Sequence, residues 1–168
     1  MKRPFLSLAV IARNAEDTIV AMLDSAFPYV DEIVIVWGGK NTDKTEELVQ
    51  EWIARHLNMP VVVRQFKEHQ GKEGGLEHFG EARNYSFYLT SGEWIVFLDT
   101  DDTLVGGEII RPMLETTEDA VEAWVVPYDY ARDEFDNRVI YQEKERIFRR
   151  RAYEEGARWT YRSHEVFR

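Results

Sequence analysis

Cysteine is absent from the 168 residues, which excludes disulfides, thiolate-bound zinc and cysteine nucleophiles. Long apolar runs are missing too. Residues 94–98 are among the longest, far short of the roughly 18 needed to span a bilayer. The N-terminal Lys2, Arg3 and Pro4 lead straight into a strand-like run without an apolar h-region or a small-residue cleavage site, so a soluble, cytoplasmic protein is expected. Basic charge is in short supply: 21 Lys and Arg against 31 Asp and Glu give a formal net charge of −10. Such a chain is not built to grip nucleic acid or anionic lipid through bulk charge. If its substrate carries phosphates, something local must cancel the repulsion, and a divalent cation does so. What is present suffices for one packed domain, with 44% hydrophobic and 13% aromatic residues to fill a small core.

The apolar pattern alternates between two periods. Residues 5–12, 32–37, 61–63 and 94–98 read as buried strands, and residues 15–26, 43–56 and 79–90 as helices with apolar residues at helical spacing. Thr42 or Asp43 can cap the second helix. A polar, glycine-bearing loop covers residues 67–77, with His69 and His78 expected in solvent. This β-α-β-α-β-loop-α-β rhythm predicts a parallel sheet with helices on both faces, a Rossmann-like α/β/α sandwich. After Asp102 the pattern changes to a helix near residues 107–115, then strands at 123–130, 138–141 and 145–150 in an antiparallel meander. The basic run 146–151 alternates with apolar residues and reads as a strand with one solvated face. No repeat, linker or low-complexity tract divides the chain. One domain over 1–168 is expected, with a ligand-binding half to residue 102 and a short second half.

In an open parallel sheet, ligands bind beyond the carboxyl ends of the strands. Those ends carry Arg13 and Asn14, then Trp37 to Lys40, then Arg64 to Lys67, and then Asp99, Thr100, Asp101 and Asp102. Strand alternation would put Asp99 and Asp101 on one side, a hard oxygen site suited to Mg²⁺ or Mn²⁺. Asp102 would point away and cap the next turn.

Four blocks, in order, resemble the family 2 glycosyltransferases of GT-A fold, in their small bacterial and phage branch. They are residues 11–16 (IARNAE), residues 30–36 with 42–45 (VDEIVIV, TDKT), residues 79–84 with 91–102 (FGEARN, SGEWIVFLDTDD), and residues 146–150 with Trp159, His164 and Glu165. The resemblance implies transfer of a sugar, often UDP-linked, from a nucleotide diphosphate donor to an acceptor hydroxyl on a glycan, protein or small molecule. It implies a Mn²⁺ or Mg²⁺ ion bound by Asp101, with Asp99 near the ribose or the ion's water shell. Arg83 faces the diphosphate or braces the aspartates, Arg13 and Asn14 border the donor, and His164 is a third metal ligand or a donor to the diphosphate. Members usually invert the anomeric carbon, which needs a carboxylate base on the face opposite the leaving group; Glu165 is the candidate.

Two departures from the family pattern matter. The second strand ends in Trp37, Gly38, Gly39 and Lys40 rather than in the base-recognising aspartate, so Trp37 is either a stacking platform for the base or part of the core. Only 66 residues follow Asp102, so the acceptor platform is minimal, or is completed by further chain or by a homo-oligomer. Residues 97–104 also fit the start of haloacid-dehalogenase phosphatases, with Asp99 as nucleophile, although that motif belongs on a first strand. A non-catalytic nucleotide-sugar-binding module is the remaining alternative.

Overall fold

The computed structural model describes residues 4–68, 70–71, 74–135, 137–161 and 166–168. Its elements are β1 (Leu6–Ala12), α1 (Ile19–Ala26), β2 (Glu32–Trp37), α2 (Thr45–Arg55), β3 (Val61–Gln65), α3 (Phe79–Leu89), β4 (Trp94–Leu98), α4 (Ile110–Glu115), β5 (Ala123–Arg132), β6 (Arg138–Arg149), α5 (Arg150–Glu154), β7 (Trp159–Thr160) and β8 (Val166–Phe167). The main sheet has strand order β3-β2-β1-β4-β6-β5. Its first four strands run parallel, and β6 runs antiparallel to both β4 and β5. β7 and β8 form a small antiparallel sheet. This is the expected mostly parallel α/β sandwich with an antiparallel C-terminal part.

Every residue of β2 and β4 is buried, as befits central parallel strands covered on both faces. Alternate side chains feed separate cores. Leu8, Val10, Ile33 and Ile35 meet Ile19, Met22 and Leu23 of α1 and Val49 and Trp52 of α2. On the opposite face, Ala9, Ile95 and Phe97 meet Phe87 of α3 and Trp159, while Val34 and Val36 meet Ala82. The amino edge of the sheet is closed by two acids of the second sequence block. Glu32 accepts bonds from the Ser7 hydroxyl at 2.6 Å and from the Ser91 N–H and hydroxyl at 2.7 Å each. Asp31 accepts from the Phe5 and Leu6 N–H groups and from Arg111 of α4 at 2.6 Å.

The structure corrects three local expectations. β6 is one continuous strand through residues 142–144 rather than two pieces, so the meander is a long β5–β6 hairpin. The basic run does not leave a solvated face of arginines: Arg146 and Arg149 are 5% and 7% exposed. Their charges are met inside, Arg149 by the Glu118 and Val121 carbonyls and the Trp94 ring. His78 is not free in solvent but caps α3, its Nδ1 accepting the Glu81 N–H at 3.2 Å; His69 lies outside the described residues. Among the described residues no helix is long and apolar enough to cross a membrane.

Candidate active site

Strand order reverses at β1, whose neighbours are β2 and β4. The crevice at the carboxyl ends of β1 and β4 is therefore the topological switch point, where α/β sheets take ligands. On the β1 and β2 side the loops clasp each other. The Asn14 amide is spent on Thr42, receiving its N–H at 2.8 Å and donating to its hydroxyl at 3.1 Å, while the Asn14 N–H binds Asn41 Oδ1. Glu16 and Asp43 exchange further bonds with the backbone of the facing loop. Asn14 tolerates the left-handed conformation this needs, with φ of 49°. The first and second sequence blocks thus hold each other, and Asn14, expected at the substrate, serves as the clasp.

Arg13 reaches across to the glycine loop, its Nε 3.5 Å from the Lys40 carbonyl. A Cβ on Gly39 would sit 2.1 Å from the Gly74 carbonyl oxygen, so only glycine permits these loops to touch. Trp37 is 7% exposed and packed in the main core. Of the two readings open from the sequence, this packing is that of a core residue.

On the β4 side the strand stops at Leu98, so side-chain alternation does not extend through residues 99–102. Asp102 instead folds back, accepting the Asp99 N–H at 2.8 Å, while its own N–H donates to the Asp99 carbonyl. Its carboxylate also takes the Tyr128 hydroxyl at 2.6 Å and lies 3.2 Å from Arg146. Arg146 spans to Asp99 at 2.9 Å, and Arg83 approaches the other Asp99 oxygen at 3.4 Å from α3 while stacking on Phe97. Asp101 is exposed. Burial works against the Arg146 charge, but Asp99 and Asp102 outweigh it and raise its pKa above the ordinary arginine value. Burial, with Asp102 beside it, pushes the Tyr128 hydroxyl well above the usual tyrosine range, so at neutral pH it donates.

Beside this turn opens a cleft of about 1030 Å³, lined among others by Asp101, Asp102, Met113, Trp124, Tyr128 and Tyr130. On the opposite face of the sheet, α3 holds the C-terminal segment: Asn84 bonds both the N–H and the carbonyl of Trp159. A Cβ at Gly80 would meet the Tyr161 carbonyl oxygen at 2.7 Å. His164 and Glu165 lie outside the described residues.

The profile of glycosyl transferase family 2 matches residues 7–166. The chain belongs to glycosyl transferase family 2. A curated relative, the poly(ribitol-phosphate) beta-glucosyltransferase of Bacillus spizizenii, is 27% identical over 110 residues, covering 63% of this chain and 16% of that protein. Among solved structures, S. aureus TarS superposes with a TM-score of 0.64 at 18% identity, over 93% of this chain and 30% of that one. TarS 1-349 in complex with UDP-GlcNAc gives a TM-score of 0.52 at 25% identity, over 66% of this chain and 30% of that one. This family 2 chain therefore spans less than a third of each of these relatives. Family membership leaves the phosphatase pattern at residues 97–104 without support.

Of the residues singled out from the sequence, the fold brings Arg83, Asp99 and Asp101 to one strand end, and places Arg13 and Asn14 at the neighbouring loop. Sequence reasoning missed Arg146 and Tyr128 and gave Asp102 a lesser part. No local signal marked Arg146, because an arginine beside apolar residues in a strand pattern reads equally well as facing solvent. Among the described residues no three His, Asp or Glu side chains gather around a common point. Both Asp99 oxygens face arginines and Asp101 is exposed, so a Mg²⁺ or Mn²⁺ ion at this turn would be held through the Asp101 carboxylate.

Proposed function

We propose that this chain transfers a sugar from a UDP-linked donor to an acceptor hydroxyl, with inversion at the anomeric carbon. The observation that carries the reading is the Asp99–Asp101 turn at the carboxyl end of β4, beside the switch point of the sheet. Family membership and a UDP-GlcNAc-bound structural neighbour at 25% identity support the donor class. Around the turn, Asp99, Asp101 and Asp102 set three carboxylates against the guanidinium groups of Arg83 and Arg146. The resulting formal negative charge repels a diphosphate unless a cation reverses it.

Asp101 holds that cation, Mn²⁺ or Mg²⁺, jointly with the diphosphate. When bound, the ion supplies Lewis-acid stabilisation of charge on the leaving nucleotide. Arg83 and Arg146 keep Asp99 oriented toward the ribose side. The acceptor approaches over the carboxyl end of β4, beside Asp101. Glu165 removes the acceptor hydroxyl proton as its oxygen bonds to the anomeric carbon and the electron pair of the breaking C–O bond leaves with the diphosphate. His164 donates to that diphosphate or joins the ion. Glu165 directly precedes Val166, whose backbone pairs with Thr160, one residue from the Tyr161 carbonyl packed on α3.

Titration of UDP with Mn²⁺ into the parent and into Asp101→Ala tests this reading. The parent binds, and the variant loses affinity by roughly 100-fold or more while keeping its thermal midpoint, because Asp101 is exposed. Equal affinity in the two proteins would overturn the assignment.

A further inference from the structure

We infer that Tyr128 is a positioning residue for the turn that carries Asp101, acting through Asp102; the inference rests on the function proposed above. The sheet itself does not hold this turn, because the β4 ladder ends at Leu98. What fixes it is the Asp102 carboxylate, 5% exposed, with one donor inside the turn and two from the β5–β6 hairpin. The internal donor is the Asp99 N–H at 2.8 Å. The hairpin supplies the Tyr128 hydroxyl at 2.6 Å and the Arg146 guanidinium at 3.2 Å. Arg146 simultaneously takes Asp99 at 2.9 Å, so one guanidinium ties both ends of the loop that displays Asp101.

Stability alone is a poor reason for this cluster. Burying the Asp102–Arg146 contact costs more desolvation than an apolar filling of the same space, and the Arg146 Nε is buried with no hydrogen-bond partner among the described residues. The network spends folding energy to hold a carboxylate at a set position, as a ligand site requires. Tyr128 itself is braced from the other side: the Lys144 ammonium stands 3.9 Å from its ring centroid and the Arg146 guanidinium 5.1 Å. Its ring is therefore held between two cations of β6 with the hydroxyl on Asp102.

Tyr128→Phe keeps the ring and removes only the donor, leaving a buried carboxylate oxygen short of one bond. The free Mn²⁺ signal in electron paramagnetic resonance, followed during Mn²⁺ titration at excess UDP, gives the Mn²⁺ midpoint. The expected result is a midpoint raised about tenfold, with the unliganded thermal midpoint lowered by no more than about 4 °C. Tyr141→Phe, on the exposed arm of β6, leaves the Mn²⁺ midpoint at the parent value. Arg146→Lys keeps the charge but cannot bridge Asp99 and Asp102, and shifts the midpoint the same way; it carries the test if Tyr128→Phe does not fold. A parent protein that holds no Mn²⁺ in the presence of UDP overturns the proposed function and this inference together. A parent that holds it, with Tyr128→Phe or Arg146→Lys holding it equally well, overturns the inference alone.

Discussion

Asp99 and Asp101 stand two positions apart yet meet opposite surroundings, one between two guanidinium groups and the other in solvent. The difference follows from where β4 ends. Past Leu98 the backbone turns, and each side chain goes where its hydrogen bonds lead rather than where a pleat would send it. A paired carboxylate resists becoming a metal ligand, because the ion must compete with charges already in place; an exposed one gives up only water. On the proposed function, that contrast favours Asp101 over Asp99 as the ligand of the ion. The same reasoning separates binding from turnover at Glu165, which as a base acts only while the acceptor proton moves. Glu165→Gln should keep the UDP-sugar affinity of the parent and lower kcat by roughly 10²–10⁴-fold. Steady-state kinetics beside a binding titration check this, and unchanged kcat places the base elsewhere.

Elements defined by continuous apolar runs were legible in the sequence: β2 and β4 have the bounds their residues announce, because central parallel strands are buried on both faces. The hairpin was legible only in outline. Its polar middle, residues 142–144, lies on an exposed arm and carries no period, although the strand runs through it. Arg146 was misread for a different reason. Its partners Asp99 and Asp102 are more than 40 residues away, and no local window shows that an arginine and two acids will share one buried space. Trp37 was open between two readings because an indole at a strand end fits either, and packing decided for the core.

At the amino edge, Asp31 joins β1 to α4 through Leu6, Phe5 and Arg111. Burial tends to raise its pKa, but Arg111 and the two N–H groups outweigh that and hold the carboxyl below its ordinary range. A carboxyl with a lowered folded pKa contributes stability that is present above its unfolded value and lost as pH falls through the folded one. Asp31→Asn should cost about 1 kcal/mol at pH 7, a figure discounted for partial exposure, and the gap from the parent should begin to narrow as pH falls below about 4. Urea unfolding of both proteins at pH 7 and pH 3 measures it; a gap independent of pH contradicts the account.

Taken whole, the molecule carries a formal charge of −10 and turns three carboxylates toward one rim of its sheet, an arrangement hostile to a diphosphate without a counter-charge. The reversal of strand order at β1 and the exposed Asp101 fall at the same crevice. The clasp between the Asn14 and Thr42 loops and the hairpin that bonds Asp102 both border it, so the proposed donor site depends on contacts spread over most of the chain. Anomalous diffraction at the manganese edge, from crystals of the chain grown with UDP and Mn²⁺, tests this most directly. The account predicts a manganese peak at bonding distance from an Asp101 oxygen, with the diphosphate on its far side over the β1–β4 crevice. A diphosphate bound at another edge of the sheet, or manganese seated away from Asp101, would contradict it.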